Sequence, residues 1–161
     1  MNIKLITQFL KDDLIQATEK SETIYWVVSF LKVSGVKEML PSLQRAEESG
    51  AEIKILCGDY LYITEPNALR LLIDHLPNAH IRLFESGGRS FHPKAYLFRS
   101  PKEAEVFVGS SNLSKAALTN AVEWNVHVAL HQQHLFFEDV AYEFMKLFTH
   151  PSTERMNRET V

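Results

Sequence analysis

Apolar and polar positions follow two rhythms along this chain. Ile3, Ile6, Phe9, Leu10 and Leu14 recur at helical spacing with Lys11, Asp12 and Asp13 between them, which predicts an amphipathic helix over residues 3–18. Thr23 to Leu31, TIYWVVSFL, is β-branched or aromatic at most positions and predicts a strand buried on both faces. Residues 35–50 read as helix, with Pro41 either kinking it or opening a second short helix, and Gly50 ending it. AEIKILCG, residues 51–58, is the next strand, and Glu65-Pro66 opens a helix that Pro77-Asn78 closes. Strands are predicted over 80–85, 91–99 and 105–110, then a turn and short helix over 111–119. A further strand, AVEWNVHVAL (121–130), and a final amphipathic helix (135–148) complete the pattern. This alternation predicts an α/β fold, a mixed β-sheet flanked by helices on both faces, in one domain over residues 1–150. The polar residues 151–161, PSTERMNRETV, read as a tail or the start of a linker.

Composition narrows the class. A chain of 161 residues with 45% hydrophobic residues is long enough to bury a core without disulfide or metal staples. Its single cysteine, Cys57, permits no internal disulfide and fits a reducing, cytoplasmic setting. Lys4, Lys11, Asp12 and Asp13 break up the apolar positions near the start, against a signal peptide, and no apolar run approaches the roughly 20 residues of a membrane span. No membrane partner is expected.

The net charge of −3 argues against coating nucleic acid by bulk charge. Charge is nonetheless uneven: residues 1–86 carry 9 basic and 12 acidic groups, 87–115 carry 5 and 2, and 116–161 carry 3 and 6. The basic stretch holds Arg89, Lys94, Arg99, Lys102 and Lys115, of which Arg89, Arg99, Lys102 and Lys115 are candidates to contact nucleic acid. The blander reading of such a stretch is a solvated hairpin.

The chemistry lies inside that stretch. In FHPKAYLF, His92 and Lys94 stand two apart on a predicted strand, so both leave the same face of the sheet. The following strand runs into Gly109-Ser110-Ser111-Asn112, where small and amide residues let an anion approach the backbone. Glu123 falls on the strand after that. Lys94 can supply charge, and Ser110 and Asn112 hydrogen bonds, to the oxygens of a phosphodiester. Neutral His92 can attack phosphorus, and Glu123 can hold the imidazole in the useful tautomer.

These residues resemble the signature of the phospholipase D superfamily, His-x-Lys followed by Gly-Ser-x-Asn. His92-Pro-Lys94, Gly109-Ser110-Ser111-Asn112 and Glu123 match it in order, and GSSNLSKAAL with Glu123-x-Asn125 is most similar to the small bacterial nuclease branch and to nuclease domains of restriction enzymes and helicase-associated proteins. Arg99 stands where the family usually has an aspartate, and the Gly109 turn arrives about three residues late. The resemblance implies metal-independent phosphodiester cleavage through a phosphohistidine, with no cofactor. It also implies two motifs per active centre. None of His75, His80, His127, His131, His134 and His150 has a lysine two residues later, so this chain carries one motif. The implied assembly is a homodimer in which His92 of one copy is nucleophile and that of the other is the acid, with DNA as the substrate. Alternatives are a lipid or small phosphodiester hydrolase, and a non-catalytic nucleic-acid-binding module serving a helicase or restriction partner.

Other residues read more blandly. His127, His131 and His134 share no period and have no nearby cysteine, against a metal site. Cys57 ends a buried strand, Trp26, Phe30, Phe107 and Trp124 read as core aromatics, and Gly87-Gly88 as a flexible lip or an ordinary loop.

Overall fold

The chain runs β1 (Asn2–Ile6), α1 (Leu10–Lys20), β2 (Thr23–Val28), α2 (Val33–Glu48), β3 (Glu52–Gly58), α3 (Pro66–His75), β4 (His80–Phe84), β5 (Ala95–Arg99), β6 (Glu103–Gly109), α4 (Lys115–Leu118), β7 (Asn125–His131), α5 (Leu135–Phe148) and β8 (Thr153–Arg155), as described by a computed structural model of residues 1–161. All strands join one sheet in the order β1-β7-β6-β5-β2-β3-β4-β8. β2, β3 and β4 are mutually parallel, which requires the crossover helices α2 and α3 between them; every other neighbouring pair is antiparallel. Because side chains alternate along a strand, Ile24, Trp26 and Val28 of β2 enter the core beneath α1, α2 and α3, while Val27 packs with Phe144 and Phe148 of α5 on the opposite face. The expected α/β class, a mixed sheet with helices on both faces, is what the chain adopts. Pro41 sits inside a continuous α2, on its exposed side, so no second helix opens there. No helix is long and apolar enough to cross a membrane.

The first residues depart from expectation. Residues 2–6 form a strand, with Asn2 opposite Ala129 and Ile6 opposite Asn125, and the helix starts only at Leu10, after Phe9 adopts a left-handed conformation (φ 56°). Ile3 and Ile6 fit a helical stripe, but as a strand residues 2–6 cover the edge that β7 would otherwise leave open and send Ile6 into the core. The polar residues after His150, expected to be a tail or linker, supply β8, which pairs with β4, and bury Met156.

One row of the sheet stays open. Leu5, Val126 and Val108 lie side by side in register on the α5 face, and remain 50%, 43% and 45% exposed. Ile3 on the same face, and Val122 and Trp124 just before β7, are also exposed. Trp124 therefore does not join the core, unlike Trp26 and Phe107, and Phe30 is only half-buried.

Candidate active site

Four pieces of chain meet at one end of the sheet: the exit of β2, the entrance of β5, the exit of β6 and the entrance of β7. Phe91 to Lys94 lead into β5 outside the regular strand, and Ala121 to Trp124 lead likewise into β7, so the strands there are shorter than the apolar runs suggest. The expected proximity still holds: Lys94 Nζ lies 2.8 Å from His92 Nδ1 and donates to the His92 carbonyl at 2.9 Å. Desolvation lowers the pKa of Lys94 below that of an ordinary lysine, against the opposing pull of the Glu123 charge. The exposed His92 ring stands edge-on between Phe30 and Tyr60, with ring centres 6.1 and 6.3 Å away.

Asn112 has a fixed orientation. Its Oδ1 accepts hydrogen bonds from the backbone N–H of Ser29 at 3.0 Å and of Phe30 at 2.9 Å, which ties the Gly-Ser-x-Asn turn to the exit of β2. Two donors on one oxygen settle which end of the amide is which, and leave the Nδ2 hydrogens for another acceptor. Beneath the turn, the Tyr96 hydroxyl donates to the Ser111 carbonyl and Asn125 Nδ2 donates to Ser111 Oγ, both at 2.8 Å and both buried. Gly109 fits where no side chain would: a Cβ there would stand 2.2 Å from the Trp124 carbonyl oxygen and 2.5 Å from Asn125 Oδ1.

Glu123 and Ser110 are paired differently from the expectation. Glu123 accepts from the Ser110 hydroxyl, which in turn accepts from the Trp124 N–H at 3.0 Å, and no hydrogen bond joins Glu123 to His92. The Ser110 proton is therefore engaged by a carboxylate, and the imidazole's neighbour is Lys94.

The structure brings His92, Lys94, Ser110, Asn112 and Glu123 together and leaves out two of the basic candidates. Arg99 lies at the far end of β5, about 16 Å along the strand from Lys94 at ~3.3 Å per residue, paired with Glu138 and stacked over Phe137. Lys102 lies in the hairpin beyond it. Arg89 and Lys115 remain at the site-bearing end; Lys115 opens α4 directly after the Asn112 turn, and Arg89 packs over Phe84. Ser29, Tyr60 and Asn125 were missed. Only Asn125 had a signal, as the last residue of Glu-x-Asn. His127 pairs with Glu105 at 2.9 Å and stacks on Phe107, and no group of three His, Cys, Asp or Glu side chains is arranged to hold a metal. Cys57 is fully buried, and that burial pushes its thiol pKa up to about 12.

A mixed α/β sheet that carries His-x-Lys and Gly-Ser-x-Asn at one end, with a single copy of each, defines a domain of the phospholipase D type. The family model for the cardiolipin synthase, PLD-like domain matches residues 10–150, and the chain belongs to that family. Among solved structures it is similar to the phospholipase D family member Nuc from Salmonella typhimurium (15% identity, TM-score 0.70, 97% of this chain and 99% of that one). NucT from Helicobacter pylori is as similar in fold (18%, 0.70, 96% and 99%). Phosphatidylserine synthase from Haemophilus influenzae aligns over 96% of this chain but 39% of its own, at 12% identity and TM-score 0.73. A search of curated proteins by sequence gave no significant match.

Proposed function

We propose that the protein is a phosphodiesterase acting on DNA, through a phosphohistidine formed at a site that two copies share. The observation that carries this reading is the meeting of Lys94, His92 and the free amide hydrogens of Asn112 at one sheet end. A phosphate entering there draws the Lys94 ammonium onto its own oxygens and accepts hydrogen bonds from Asn112 Nδ2. The lone pair that Lys94 had capped on His92 then attacks phosphorus. A nitrogen–phosphorus bond forms as a phosphorus–oxygen bond breaks, and the departing oxygen takes a proton from His92 of the partner subunit. Water attacks the phosphohistidine next, giving its proton back to that second imidazole and releasing a phosphomonoester. Glu123 holds Ser110 and balances the Lys94 charge. These groups supply the charge stabilisation and proton transfers that a metal would otherwise provide, which supports a metal-independent reaction.

The open row of Leu5, Val126 and Val108 with Trp124 supports the shared site. It runs to the sheet end that carries Ser110 and Glu123, so a second copy seated on it in a two-fold dimer would lie beside that end. Support for DNA comes from the two cations beside the motif, Arg89 and Lys115, which can meet a polyanionic backbone. The cardiolipin synthase description of the family and the synthase alignment favour a second reading, in which a phosphatidyl group is the substrate.

The test is turnover of single- and double-stranded DNA, a chromogenic phosphodiester and a phosphatidylglycerol micelle in excess EDTA, beside His92→Ala. DNA cleavage that persists in EDTA and is absent in the variant supports the proposal. DNA binding by both proteins with turnover by neither would replace it with a binding module. Turnover confined to the micelle would move the substrate to lipid.

A further inference from the structure

We infer that the turn at Tyr60–Tyr62 is a stacking platform for an unpaired nucleobase next to the scissile phosphate, so that the substrate is single-stranded nucleic acid. The inference rests on the phosphodiesterase reading and names the form of nucleic acid that it takes. Leu61 and Tyr62 adopt left-handed backbone conformations, with φ of 58° and 54°, and expose their side chains to 66% and 90%. Residues with a Cβ avoid that region, and hydrophobic burial does not account for it here, since neither side chain is packed. What the conformation does is turn a large ring outward at the sheet end that holds His92. Tyr60, in the same turn, stands edge-on to the His92 ring with centres 6.3 Å apart, so the platform begins at the reactive imidazole. Tyr60 to Tyr62 form one wall of a cavity of about 530 Å³ whose other wall contains Gly87 and Gly88. Those glycines have φ of 60° and 85° and open space where a Cβ would be, which leaves the cavity mouth unobstructed.

Charge decides which part of a nucleotide faces this wall. The segment DYLYITE, residues 59–65, has two acidic residues and no basic one, and Glu85 also lines the cavity. Phosphates are repelled from this side and attracted to Lys94, so a nucleotide whose phosphate meets His92 turns its base toward Tyr60 and Tyr62. An exposed aromatic tip can also enter a lipid surface, but such tips carry lysine or arginine for the anionic headgroups, and this one carries none. Bases inside a duplex are already stacked on their neighbours and cannot occupy the platform without leaving the helix.

The measurement is fluorescence anisotropy of a labelled oligodeoxythymidine, an abasic strand of equal length and a duplex, in EDTA, with the full chain and with Tyr62→Ala and Tyr62→Phe. The base-bearing strand should bind roughly 5- to 100-fold more weakly to Tyr62→Ala, the loss of one stacked base, and as well as wild type to Tyr62→Phe. The abasic strand and the duplex should be indifferent to either change. Equal binding of base-bearing and abasic strands by wild type overturns the inference, as does an unchanged Tyr62→Ala. So does a Tyr62→Ala defect seen only in sedimentation with phosphatidylglycerol vesicles, which would make the tip a lipid contact. Turnover of a small chromogenic phosphodiester, read in parallel, reports the catalytic reading separately, because that substrate has no nucleobase to stack.

Discussion

Lys94 Nζ lies 2.8 Å from His92 Nδ1, so a cation and no carboxylate is the hydrogen-bonding neighbour of the imidazole. A charged lysine has only donors, so a neutral His92 holds its lone pair on Nδ1 and its proton on Nε2. Long-range proton–nitrogen spectra of the free protein should show that tautomer, and orthovanadate should perturb both His92 and Lys94. A resting Nδ1–H imidazole would mean that an acceptor holds the ring, and would contradict the pairing.

The lowered pKa of Lys94 sets an alkaline limit on activity. Its ammonium is lost at a lower pH than that of a free lysine, so kcat/KM should begin to fall below the ordinary value of 10.5. Glu123→Gln removes the charge that opposes this shift and should move the alkaline limb to lower pH still. A limb that does not move would separate Glu123 from Lys94.

Asn112 offers a way to separate structure from chemistry. Asn112→Asp keeps an oxygen for the Ser29 and Phe30 N–H groups but replaces the donor end with negative charge, so it should fold normally and lose about 100- to 1,000-fold or more in kcat. Asn112→Ala leaves both N–H groups without an acceptor and should cost about 1–3 kcal/mol in urea unfolding. Equal stability for the two variants would show that Oδ1 does not anchor the turn.

A charge placed in the open apolar row should dissociate a dimer that uses it. Val126→Asp, on a 43% exposed position, should leave the fold intact, give a monomer by sedimentation, and lose DNA cleavage with the shared site. A wild-type protein that is a fully active monomer would remove the two-copy mechanism.

Away from the site, Glu105 is nearly buried, and although burial opposes its ionisation, hydrogen bonds from His127 and Lys20 and their charges hold its pKa below the ordinary 4.5. A carboxylate depressed in the folded state stabilises it above the unfolded pKa, and that increment fades as pH falls through the folded value. Glu105→Gln should therefore cost about 1–3 kcal/mol at pH 7 and progressively less below pH 4.5, as read by urea unfolding.

The sequence was informative wherever local pattern and tertiary role agreed. TIYWVVSFL reads as a central strand, and Thr23–Val28 form one, while His92, Lys94 and Asn112 can be singled out because their spacing survives without knowledge of the sheet. Ile3 and Ile6 misled because a spacing of three reads as one helical face, whereas in the strand that forms they point to opposite faces, Ile6 into the core and Ile3 outward, and the choice depends on β7, more than a hundred residues later. Trp124 misled for a related reason: size and apolarity suggest a core, while its 63% exposure places it beside the open row of Leu5, Val126 and Val108. Ser29 meets Asn112 across 83 positions of sequence, through a backbone N–H that carries no side-chain signature. Arg99 and Lys102 shared a basic stretch with the motif, but the direction of β5 carries them away from it.

The burial of Cys57 has a practical side. The chain's one thiol is sealed in the core and stays protonated at neutral pH, so the natural protein offers maleimides and spin labels almost nothing to react with. A cysteine placed at exposed Val122 would be a lone attachment point next to Glu123, and a distance measured between two such labels would report directly on the proposed pairing of two copies in solution.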